Sequence, residues 1–139
     1  MPYVLRAVAV SCLLTLTVGA CTPSEPEQPP GPSVPAESAF AEGTCRVAAP
    51  DVRAIGAAVP RLGKEGKVDQ QVQDELRDAQ QRLAALAEGA EPELKPALDD
   101  LVLKIGLLRI RAAGNTYESS LGEGLTTSYD AVLDVCTTG

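Results

Sequence analysis

From Cys45 onward the apolar residues fall at helical intervals, and the intervals define four segments. Val52, Ile55, Val59 and Leu62 recur every three or four residues, the stripe of a first helix with Pro50-Asp51 in its opening turn. Cys45 lies just ahead of it. Pro60 removes an amide donor and should end or kink this helix, and Gly63 to Gly66 supplies the turn. Val68, Val72, Leu76, Ala79, Leu83 and Leu86 then form one stripe over about 69–88, with Gly89 as the stop. The third stripe, Leu94, Leu98, Leu101, Ile105, Leu108 and Ala112, predicts a helix from Glu91-Pro92 to about Ala113, closed by Gly114. The fourth begins near Asn115, where Glu118 three residues on resembles a capping box. It continues through Leu121, Leu125, Tyr129, Val132 and Cys136. Gly122 and Gly124 each cost about 1 kcal/mol relative to Ala, so its first turns are expected to fray. The pattern contains no internal repeat. It predicts an all-α, up-down four-helix bundle over residues 45–139.

The third helix carries apolar residues beyond its stripe. At about 100° per residue, with Leu101 at zero, Leu103, Leu107 and Ile110 fall at about 200°, 240° and 180°. Ile105 and Leu108 lie on the opposite side, within about 40° of Leu101. Lys104 and Arg109 separate the two sets. One face must pack into the bundle. The other is covered by neighbouring segments if the helix sits centrally. Otherwise it remains an open apolar strip flanked by Lys104 and Arg111, a surface for a protein partner or small apolar ligand.

Ahead of the helices the pattern changes twice. Residues 22–44 hold six prolines, four glutamates and no basic residue, without apolar periodicity. Such a segment buries too little surface to offset its ordering entropy, so it is expected to be a disordered tether biased to polyproline II. At about 3.1 Å per residue it reaches at most about 70 Å. Pro29-Pro30-Gly31-Pro32 within it is weak as a proline-motif ligand. Residues 1–20 read as an export signal, with Arg6 before a twelve-residue run, Ala7 to Val18, that is apolar except for Ser11, Thr15 and Thr17. As a helix that run spans about 18 Å against about 30 Å of hydrocarbon, too short for a permanent membrane span.

Val18-Gly19-Ala20-Cys21 resembles the lipobox of bacterial lipoproteins: an aliphatic residue, two small residues, then cysteine. The resemblance covers residues 1–21 and leaves the helical part unassigned. It implies a cleaved signal peptide at 1–20 and a diacylglyceryl thioether on Cys21. It also implies a domain held at the extracytoplasmic face of a cell membrane. Each palmitate-type chain contributes about 0.8 kcal/mol per buried methylene, and two or more chains anchor stably. On this reading Cys12 leaves with the signal and Cys21 is taken by lipid, so Cys45 and Cys136 remain. An even number of up-down helices brings the start of the first and the end of the last to one end of the bundle. Export supplies a compartment that permits disulfides. The pair is therefore expected to be bridged, closing a loop of about 90 residues worth about 4–5 kcal/mol in the chain-entropy model.

Charge and composition narrow the function. The 139 residues carry 12 basic and 19 acidic groups, a net charge of −7, which becomes −8 once Arg6 leaves with the signal. That sign argues against nucleic acid, whose affinity rests on Lys and Arg at phosphates, and against attraction to an anionic membrane surface. The chain has no histidine, so the usual general base and the commonest zinc ligand are missing. Asp74 with Asp78, and Asp130 with Asp134, share helix faces and could serve carboxylate chemistry or hold a hard cation. Arg77 and Arg82 make the first pair read as a charged solvent face. Ser119, Ser120 and Ser128 lack an activating base. Tyr117 and Tyr129 read as half-buried packing, and Gly122-Glu123-Gly124 lacks the strand context of a phosphate loop. The expectation is a non-catalytic, membrane-anchored lipoprotein of the cell envelope without metal or cofactor beyond its lipid. It would bind a protein partner or small apolar ligand. The alternatives are an accessory envelope component without its own ligand and, behind it, a carboxylate-based enzyme.

Overall fold

The positions selected by the helical stripes are the ones withdrawn from water. In the computed structural model, which describes residues 32–137, four α-helices are present among the described residues. They are α1 (Thr44–Ala58), α2 (Gln70–Ala87), α3 (Lys95–Ala113) and α4 (Ser119–Thr137). Val52 and Ile55 of α1, Leu76 and Leu83 of α2, Leu101, Ile105 and Leu108 of α3, and Leu125 and Val132 of α4 are all buried in one core. Each fully buried branched side chain contributes about 1.5–3 kcal/mol relative to exposure. Val59, Leu86 and Leu121 pack at the core's margin. Each helix packs on the next, and α1 also meets α4, so α3 rests on α2 and α4.

Two loops are tied together away from the helices. Two-residue strands β1 (Glu65–Gly66) and β2 (Tyr117–Glu118) pair antiparallel, Glu65 opposite Glu118 and Gly66 opposite Tyr117. Gly66 takes φ +84°, a left-handed conformation open to glycine without steric cost. The α1–α2 connection is thereby joined to the α3–α4 connection. Cys45 in α1 and Cys136 in α4 form a disulfide with Cα atoms 5.3 Å apart, as expected from the helix count.

Four expectations are corrected. First, α1 starts at Thr44, so Pro50 lies inside the helix and Cys45 belongs to its first turn. An interior proline costs about 3 kcal/mol through its missing amide and its clash with the preceding turn. The residues before it offset this by packing: Ala48 and Ala49 are fully buried, Cys45 is bridged, and Pro50 itself faces solvent. Second, regular helix in α3 begins at Lys95, after a turn in which Leu94 and Lys95 both donate to the Glu91 carbonyl. Third, Asn115 caps the end of α3 rather than the start of α4. It has φ +53°, its amide donates to Ala112 O, and the Thr116 amide donates to Arg111 O. That is the paired hydrogen-bond pattern of a Schellman motif. Fourth, Gly122 is not a fraying point. It is buried, and a Cβ there would stand 2.5 Å from the Tyr117 hydroxyl.

The tether also departs from expectation where it is described. Residues 32–43 form a strap along the seam of α1 and α4. Tyr129 Oη donates to the Ser33 carbonyl at 3.0 Å, Arg53 Nε to Pro35 O at 3.0 Å, and the Ala41 amide to Cys136 O at 2.8 Å. Glu37–Ala39 makes one 3-10 turn, and Phe40 then enters the core, with Arg46 donating twice to its carbonyl. One aromatic anchor and these backbone acceptors order a proline-rich stretch whose own periodicity is silent. The signal region 1–20, Cys21 and tether residues 22–31 lie outside the described residues.

Candidate functional site

Helix α3 presents its second face to solvent. Leu103, Leu107 and Ile110 are 65, 41 and 72 % exposed, whereas Leu101, Ile105 and Leu108, interleaved with them, are fully buried. The three exposed residues follow a four-three spacing and form one line over two helical turns. The neighbours α2 and α4 cover the flanks of α3 and leave this line open. Sequence reasoning left it undecided between a covered and an open face, and among the described residues it is open.

The two edges of the line differ. On one, Lys104 and Arg111 lie seven residues apart, and their side chains make no hydrogen bond or ion pair among the described residues. Most other arginines are engaged. Arg82 pairs with Asp51 at 2.6 Å, Arg61 with Glu75 at 2.6 Å, and Arg77 with Asp74 at 2.7 Å. On the other edge, a groove of about 1060 Å³ runs between α2 and α3, lined by Gln73, Asp74, Arg77 and Gln80 and by Arg109 and Ile110. Ile110 therefore belongs to both line and groove.

Gln80 builds the floor where the helices meet. Its side-chain amide donates to Val102 O at 3.1 Å, and its carbonyl oxygen accepts from Arg109 Nη1 at 2.6 Å. Gly106 makes the room, since a Cβ there would lie 2.7 Å from Gln80 Nε2. The groove and the Gln80 bridge were missed in the sequence. An interior helix glycine facing away from the main stripe was the signal that could have pointed to them.

The other candidates are placed as follows. Asp74 and Asp78 both hold Arg77, at 2.7 and 3.3 Å, and Arg82 turns to Asp51 instead of Asp78. Glu75 is held below the usual carboxylate range chiefly by its hydrogen bond from Arg61, and Glu91 chiefly by one from Thr44. Ser128 is buried, donating to Asp100 and to Gly124 O. Tyr117 and Tyr129 are buried outright rather than half-buried, and burial raises both phenols above their ordinary value. Among the described residues no group of three or more His, Cys, Asp or Glu side chains could hold a metal ion. No helix among the described residues is long and apolar enough to cross a membrane. Comparison with family models, with curated proteins and with solved structures finds no match to this chain.

Proposed function

We propose that this chain is an extracytoplasmic lipoprotein, acylated at Cys21 and held at a cell membrane. Its helical domain is a non-catalytic binding module whose binding surface is the open face of α3. The observation that carries the reading is the exposure of Leu103, Leu107 and Ile110 on a domain that buries its other stripes. Leaving an apolar line in water forgoes burial free energy of about 25 cal/mol per Å², and such lines mark interaction sites. Arg77 holding Asp74 and Asp78, Arg82 holding Asp51, and the absence of histidine support a binding role over a catalytic one. An up-down order of the helices, with residues 22–31 as the free tether, belongs to the same reading. It is supported by the pairing of the α1–α2 and α3–α4 connections and by the bridge between the start of α1 and the end of α4.

The test has two parts. Mass spectrometry of the protein from its membrane should find a diacylglyceryl group on Cys21, and Cys21→Ser should leave the chain unprocessed or released. A photo-crosslinking side chain at Leu103 should give discrete adducts in intact cells, and one at Ala131, exposed on α4, should not. An unmodified Cys21 removes the lipoprotein reading. Equal labelling at 103 and 131 removes the binding reading.

A further inference from the structure

We infer that the occupant of the α3 face is an amphipathic helix of a different protein, with acidic residues along the edge that meets Lys104 and Arg111. The inference rests on the reading of that face as a binding surface and names what binds there. Three apolar residues at four-three spacing form the seam that a second helix fills with side chains of the same spacing. The seam is bordered by the α2–α3 groove, which shares Ile110 with it and gives an incoming helix a second wall. The opposite edge carries two cations, Lys104 and Arg111, without partners in the described residues, on a chain whose net charge is −7. Carboxylates seven residues apart on the incoming helix would face both.

Two other occupants fit less well. A second copy of this chain offers mixed charges. Antiparallel pairing about Leu103 and Leu107 sets Lys104 beside its own symmetry mate while Arg111 meets the mate's Asp100, and parallel pairing sets Asp100 beside its own. Both copies are also acidic overall. A lipid surface is disfavoured by charge. The cations stand on one edge of the line only, and the chain is acidic overall, which opposes attraction to an anionic surface.

The probe is a synthetic 18-residue helical peptide with leucines at four-three spacing and two glutamates seven apart beside them. Its control has lysines in place of the glutamates. Both are titrated by fluorescence anisotropy against the full chain purified from the cells that export it, with a matched blank. The glutamate peptide should bind at least tenfold tighter than the lysine peptide. Leu107→Glu should weaken it at least tenfold with the melting temperature unchanged, and Lys104→Glu with Arg111→Glu should invert the preference. Equal affinity for the two peptides, no binding of either, or indifference to Leu107→Glu overturns the inference. Self-association or vesicle binding that requires Leu107, in place of peptide binding, also overturns it, and leaves the face a binding surface with another occupant. If none of these depends on Leu107 and the crosslinks at Leu103 are absent too, the binding reading falls with it.

Discussion

Gly56 lacks a side chain where Tyr129 needs the space: a Cβ at 56 would lie 2.6 Å from the tyrosine hydroxyl. The same hydroxyl holds the Ser33 carbonyl, so one ring joins α1, α4 and the strap. Gly56→Ala is expected to cost about 1–3 kcal/mol by forcing the ring aside, read as a lower denaturant midpoint. The tyrosines also give the protein an alkaline limit. Burial raises Tyr117 and Tyr129, so their contribution is complete below the unfolded phenol value of about 10 and is lost as pH rises through the folded values. The acid side runs the other way. Glu75 and Glu91 are depressed in the fold, so what they contribute is present above about pH 4.3 and lost as pH falls through their folded values. Thermal melts across pH should therefore fall off at both ends, and Tyr129→Phe should weaken the alkaline limb. None of this was legible beforehand, because Gly56 and Tyr129 are 73 residues apart and nothing in either local pattern names the other.

At the scale of the element, α3 is two helices in one: a core helix on one side and a surface helix on the other. Leu108→Ala should cost about 2–5 kcal/mol. Leu103→Glu with Leu107→Glu should shift the melting temperature by no more than about 4 °C. Calorimetry on the two variants checks the contrast, and a large drop in the second would place those leucines in a core. In α1, Pro50→Ala should raise stability by about 1–2 kcal/mol by restoring a hydrogen bond at an exposed position. The stripes of all four helices were readable because burial on a helix repeats locally. So was the choice facing Leu103, Leu107 and Ile110, since angle alone separates them from Leu101. The start of α1 was not, because it depends on Cys45 meeting Cys136 and on Phe40 anchoring the approach. Asn115 was misread because the same residue type suits a helix start and a left-handed helix end. Only the neighbouring hydrogen bonds decide between them.

For the whole molecule, the Cys45–Cys136 bridge closes a loop of 91 residues, and reducing it should lower stability by about 4–5 kcal/mol in the chain-entropy model. Equilibrium unfolding with and without reductant measures this. The strap gives that bridge a mechanical meaning. A pull entering through residue 32 meets Ser33, Pro35 and Phe40 in turn, and peels them from α1 and α4 one attachment at a time. The peeling stops at Cys45, where covalent linkage to Cys136 carries the load past the enclosed helices to the chain's far end. Freed, the twelve residues of the strap add about 40 Å of contour length. Held between its two ends in an optical trap, the oxidised chain should lengthen early by up to about that much, in small steps as the attachments part, and then resist. The reduced chain should go on to unravel. The strap is thus a store of slack, released under tension before the face of α3 is disturbed.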